Sequence, residues 1–125
     1  MSDYTAKRID EMETAFGGGM KKVRAELGVS SFGVQVIDLP PNYSDYPEHD
    51  HAQEGQEEVY AVMKGSGEIE LDGERIDLSP DVIVRVGAGT RRKLYAGPDG
   101  IRVLALGAIP GKPYTINPIS ELSKA

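Results

Sequence analysis

The stretch PEHDHAQEGQEEVYAVMKGSG, from Pro47 to Gly67, holds both histidines of the chain, His49 and His51. Spaced two apart, they project to the same side of an extended backbone. Carboxylates follow at Glu54, Glu57 and Glu58, then the apolar run Val59 to Met63. Lys64-Gly65-Ser66-Gly67 reads as a turn. Two imidazoles and a carboxylate brought to one point form a ligand set for a divalent metal such as zinc, iron, manganese or nickel. The plain alternative is a solvated acidic loop. Against it, the chain has just two histidines, and they fall together immediately before a strand that opens on carboxylates.

Working outward, the 125 residues suit one domain with one core. The expected divisions are an N-terminal arm and short helix over residues 1–30, a β-barrel over 31–109 and a tail over 110–125. A net charge of −6 argues against nucleic acid as a partner, since phosphate neutralisation needs a basic surface. The cluster Arg91-Arg92-Lys93 is too short to reverse that and reads by default as a solvated strand end. The absence of cysteine fits a reducing compartment. The segment MSDYTAKRIDEM lacks the apolar centre of a secretory signal, and no apolar run is long enough to span a membrane. A cytoplasmic protein with no membrane partner is expected.

Fifteen glycines and eight prolines recur between short apolar runs, which is the punctuation of a β-rich domain. Ile9, Met12 and Phe16 fall at helix-compatible spacing before Gly17-Gly18-Gly19 interrupts. This segment could be an arm that packs on the domain or on a second subunit. Residues 20–27, MKKVRAEL, predict a helix with Met20, Val23 and Leu27 on one face and Gly28 as its stop. From Phe32 the period becomes two: Phe32, Val34 and Val36 alternate with Gly33 and Gln35. Glu57 to Met63 predicts a strand with Glu58, Tyr60 and Val62 on one face. Asp72-Gly73 between alternating runs predicts a tight hairpin, with Ile69, Leu71, Ile76 and Leu78 inward. Strands are further expected over 82–86, 91–96 and 101–109, with turns at 87–90 and 97–100. The tail is proline-punctuated and is expected to run extended along the surface. Short strands at this spacing suggest an antiparallel sandwich or closed barrel whose mouth can hold a small ligand.

His49, His51, Glu58 and Gly65, followed by the Asp72-Gly73 hairpin, resemble the first motif of the cupin family. The second motif is approached at Gly87-Ala88-Gly89, with Arg92 where the family places a histidine. The resemblance covers about residues 31–109. It implies an all-β double-stranded β-helix, a cupin or jelly-roll-like barrel, with the short helix added at the N-terminus. It also implies a homodimer. Arginine has no lone pair for a metal, so at most three of the family's four ligand positions remain: His49, His51 and Glu58. The gap between His51 and Glu58 is longer than the family's usual spacing, so Gln56 and Glu57 compete for the third place. Strand parity favours Glu58.

Two outcomes follow for Arg92. It can clamp an anionic group of a substrate beside a three-ligand metal site, or it can pair with Glu58 in a metal-free barrel. The leading expectation is a metal-dependent oxygenase or isomerase acting on a small anionic molecule. Arg92 would orient the substrate, and Tyr60 would supply a proton or hydrogen bond. The competing expectations are a non-catalytic, small-molecule-binding sensor domain and a metal-free isomerase with His49 or His51 as general base.

Overall fold

The computed structural model describes residues 2–123; the extreme ends of the expected arm and tail, residues 1 and 124–125, lie outside the described residues. In chain order the elements are β1 (Thr14–Ala15), β2 (Met20–Lys21), α1 (Val23–Leu27), β3 (Gly33–Leu39), β4 (Glu57–Leu71), β5 (Glu74–Leu78), β6 (Ile83–Val86) and β7 (Arg92–Ala108). All strand pairings are antiparallel. The architecture is an all-β, jelly-roll-like double-stranded β-helix with one short helix near its N-terminus.

The frame is the long pair β4 and β7, matched from Glu57↔Ala108 to Leu71↔Arg92. Both strands bend midway and so pass together from one wall of the barrel to the other. Residues 64–67 and 97–100, expected to be turns, are these bends; neither interrupts its strand. The register shifts between Val62 and Lys64 and between Gly65 and Gly67. The glycines are needed there for close approach rather than for reversal. A Cβ on Gly65 would lie 2.1 Å from the Gly100 carbonyl oxygen, and one on Gly67 would lie 2.0 Å from that of Tyr95. Glycine in a strand marks either a turn or a bulge at a barrel corner, and here it marks the corner.

The Asp72-Gly73 hairpin forms as expected. Both residues have positive φ, and Leu71 pairs with Glu74. Residues Ile37, Leu39, Tyr60, Val62, Ile69, Leu78, Val86, Leu94, Ile101 and Val103 fill the space between the walls. β3 is buried on both faces. Ile37 and Leu39 join that interior, while Val34 and Val36 pack outside it with Met12, Val23 and Leu106 under the N-terminal arm. The arm thus covers the outer face of its own barrel.

The helix is shorter than expected. Met20 and Lys21 pair with Ile37 and Val36 on one side and with Ala15 and Thr14 on the other, so the helix begins only at Val23. Sheet pairing overrides the helical propensity of this run. Gly28 stops the helix in the left-handed conformation as expected, with φ +79°. Arg24 and Lys22, both buried, reach the C-terminal segment at Glu121, and Ser123 bonds to Glu13. The tail is therefore fastened to the arm. No helix among the described residues is long and apolar enough to cross a membrane.

Candidate metal centre

After β3, Asn42 turns the chain, and the following segment is laced to the open edge of β7. Ala96 N–H donates to Tyr43 O at 3.0 Å; further along, His49 and Arg92 exchange backbone hydrogen bonds of 3.0 and 2.8 Å. His51 N–H then donates to Ala88 O at 2.8 Å. These bonds place the two imidazoles against the inner end of β4, where Glu58 projects on the same face as buried Tyr60. The His49 and His51 rings meet edge to face with centroids 5.0 Å apart. One ligand atom from each of His49, His51 and Glu58 falls within 4.8 Å of the others. Glu57 points to the other face and pairs with Arg85 at 2.8 Å. Gln56 donates its amide to Glu58 Oε2 at 3.1 Å.

The outer nitrogens fix what the inner ones offer. His49 Nδ1 lies 3.1 Å from the Pro47 carbonyl, which can only accept, so this nitrogen carries the proton. His51 Nδ1 bonds to the Glu54 carboxylate in the same way. Each imidazole is then left with Nε2 as its lone-pair nitrogen. Metal-ligating histidines characteristically have their second nitrogen held by a carbonyl or carboxylate, as both do here. His51 Nε2 is buried and has no hydrogen-bond partner. Glu58 Oε1 lies 3.3 Å away, and its charge favours a proton on the His51 ring in the metal-free protein. A buried ring nitrogen without a hydrogen-bond partner, facing a second imidazole and a carboxylate, fits a divalent ion once its proton is released.

Glu58 is the hub. Its Oε1 accepts the Tyr60 hydroxyl at 2.5 Å and Arg92 Nη1 at 2.8 Å. Those two bonds use both lone pairs of Oε1, whereas Oε2 keeps one beyond the Gln56 bond. Burial alone would raise the Glu58 carboxyl. The adjoining His51, the Tyr60 hydroxyl and the Arg92 charge outweigh it and hold the group at about 2. The same Glu58 carboxylate raises His51, against burial and with help from Glu54. Burial and the Glu58 charge push the phenols of Tyr60 and Tyr46 far above their usual value.

Arg92 is 0 % exposed. Besides Glu58 it donates through Nη2 to Gly87 O at 2.9 Å and Thr90 O at 2.8 Å. Of the two placements open from the sequence, the side chain occupies the pair with Glu58 and presents no surface to an incoming anion.

A cavity of about 530 Å³ adjoins the cluster. His51, Glu54, Gln56 and Glu58 form one side, Gly33, Gln35, Ala105 and Gly107 the floor, and tail residues from Tyr114 to Pro118 the roof. The tail's part in this cavity has no signal in the sequence. Nor does that of Gln35, because the alternation within β3 makes Val34 and Val36 the apolar face and Gln35 its polar opposite.

An antiparallel barrel with a two-histidine, one-carboxylate cluster on its inner wall defines a class of small β-barrel proteins with a potential metal site. This chain belongs to the cupin family: its residues 35–106 match the cupin domain. Among solved structures it is similar to a cupin protein from Bacteroides fragilis, with 21% identity, a TM-score of 0.72 and coverage of 100% of both chains. It is also similar to KdgF from Halomonas sp., with 20% identity, a TM-score of 0.54 and coverage of 63% of this chain and 70% of that one. The DMSP lyase DddQ from Ruegeria pomeroyi is similar at 21% identity and a TM-score of 0.54; the match covers 65% of this chain and 44% of the lyase. At such identities the likeness concerns the fold. No curated protein matches the chain in sequence.

Proposed function

We propose that His49, His51 and Glu58 bind one divalent metal ion and that the adjoining cavity takes a small molecule, in an oxygenase or isomerase type of reaction. The observation that supports this best is the buried, unpartnered Nε2 of His51 beside the other two ligand groups. Iron, manganese, nickel and zinc all suit two imidazoles and a carboxylate, and three protein ligands leave positions open for a substrate. The ion would act as a Lewis acid toward a substrate oxygen.

The chain's own residues do the rest. Glu54 and the Pro47 carbonyl hold the imidazoles in the ligating tautomer. Arg92 and Tyr60 keep Glu58 ionised and fix its rotamer, which makes them positioning residues here rather than groups that touch substrate. A proton and a metal ion compete for the same His51 nitrogen, so binding should release protons. The metal-free binding domain is the second reading. What favours it is the Arg92–Glu58 pair, already complete at 2.8 Å without an ion.

Metal content separates the two. Protein purified without a metal-affinity column and reconstituted with iron, manganese, nickel or zinc is expected to retain about one equivalent of one of them. His51→Ala should abolish retention while the barrel stays folded by circular dichroism. Retention of less than about a tenth of an equivalent of every metal by the unmodified protein refutes the metal site.

A further inference from the structure

We infer that the cavity takes a ligand whose end remote from the metal ligands is a carboxylate, and that the Tyr114 hydroxyl and the Gln35 amide nitrogen hold that end; this rests on the metal-site reading above.

The tail supplies the first donor. From Gly111 to Ile119 every residue is exposed except Tyr114, which is half-buried against the cavity. Two fastenings hold it there. Buried Ser120 bonds back to the Asn117 carbonyl, and Glu121 is held by Arg24 and Lys22. The Tyr114 hydroxyl lies over Gly33, where a Cβ would come within 2.8 Å of it. What acts on this phenol is burial, which raises it, together with the charges of Arg24 and Glu58; no hydrogen bond within the described residues contributes.

Strand register supplies the second donor and the reach. Gln35 stands two residues from Gly33 on the same face of β3, about 7 Å along the strand. Its carbonyl oxygen is enclosed in the wall, and its amide nitrogen is the end open to the cavity. Glu58 lies opposite Gly107, which lies opposite Gly33. The metal ligand and the two donors are thus set on either side of β7, about 10 Å apart at two strand spacings. Between them β7 contributes only Gly107 and Ala105, a low floor that a ligand can bridge.

Two donors without acceptors call for a group that only accepts. An ionised carboxylate is such a group, and hydrogen bonds to it are strengthened by its charge. A carboxamide would turn its own N–H2 toward donors, because the Gln35 oxygen is out of reach. The charge is also favoured. Arg24 is close enough to act on Tyr114, and it is buried, whereas its partner Glu121 is 54% exposed and better screened by water. The carboxylates of the lining, Glu54 and Glu58, stand at the metal end, where His51 and the ion offset them.

Succinate, succinamate and butyrate share one carboxylate for the metal and differ at the other end, which is a second carboxylate, a carboxamide or a methyl group. Each is titrated calorimetrically into zinc-loaded protein whose metal content has been measured, and into zinc-loaded Tyr114→Phe and Gln35→Met. Succinate is expected to bind the unmodified protein about tenfold or more tightly than either of the others, the scale of a hydrogen bond to a charged group. Its advantage over butyrate should fall about tenfold in each variant. Succinate binding no tighter than butyrate or succinamate, or an advantage over butyrate that either substitution leaves unchanged, overturns the inference. The melting temperature of Tyr114→Phe should hold, because the hydroxyl has no bond to lose. A fall in melting temperature with an unchanged affinity ratio assigns Tyr114 to the fold alone and overturns the inference as well. Zinc uptake without binding of any probe overturns it and leaves the metal reading standing. If the unmodified protein takes up no zinc, the metal reading itself has failed, and the inference falls with it.

Discussion

Replacing Arg92 with methionine separates a guanidinium that holds Glu58 from one that clamps a substrate. Methionine keeps much of the buried stem and removes the charge together with three hydrogen bonds, to Glu58 Oε1, Gly87 O and Thr90 O. The two carbonyls belong to the half-buried loop after β6, where water can replace the lost donors at little cost. The dominant loss is at Glu58, whose side chain is 12% exposed and would be left as a largely buried carboxylate without its counter-charge. Removing one partner of a buried pair typically costs about 3–5 kcal/mol. Tyr60 and Gln56 still donate to Glu58, so the lower end, about 3 kcal/mol, is expected. Urea unfolding of the metal-free protein measures it. The cycle should be completed with Glu58→Gln and the double variant, in which the neutral amide relieves part of the loss and gives a coupling of about 2 kcal/mol. A substrate clamp would behave otherwise. A cost below about 1 kcal/mol, with the two substitutions additive, would refute the pairing.

Three further outcomes follow from the same structure. Gly67→Ala puts a methyl group 2.0 Å from a backbone carbonyl and should cost more than about 3 kcal/mol or prevent folding. Gly87→Ala, which meets nothing within 4 Å, should change stability by less than about 0.5 kcal/mol in the same denaturation assay. Burial would raise Asp38, but Arg102 and Lys21 overcome it and hold its carboxyl below the ordinary value of 3.8. Its contribution is therefore complete above the ordinary value and is lost as pH falls through the depressed one. Asp38→Asn should accordingly lower stability at neutral pH and narrow its gap to the unmodified protein as pH drops below about 4, followed by thermal unfolding across pH.

Which parts of this structure were legible in the sequence depends on how local their causes are. The Asp72-Gly73 hairpin needs only two residues with positive φ, and it is where the sequence puts it. Gly28 ends the helix for an equally local reason. Gly65, Gly67, Gly97 and Gly100 were ambiguous, because glycine signals both a reversal and a close approach. Only the partner strand decides, since the obstructing atoms belong to Gly100 and Tyr95 for the first two. The run from Met20 to Leu27 has helical propensity throughout, and only its pairing with Ile37 and Val36 makes its start a strand. At the site, the spacing of His49, His51 and Glu58 together with strand parity pointed to residues that the fold does bring within reach of one another. Arg92 had two readings because a charged residue beside a motif can face either a partner or a ligand. In the structure Arg92 is buried against Glu58, and burial has no local signature. Gln35 was hidden for a related reason: Val34 and Val36 supply an obvious apolar face, yet β3 is covered on both sides.

The most direct measurement is an anomalous-difference map from crystals of the protein loaded with cobalt or manganese. One strong peak is expected, within bonding distance of His49, His51 and Glu58 together, with Arg92 still paired to Glu58 beside it. A peak held by other side chains, or density at these three residues that shows only their contacts with one another and no ion, would contradict the assignment of a metal centre to this wall of the barrel.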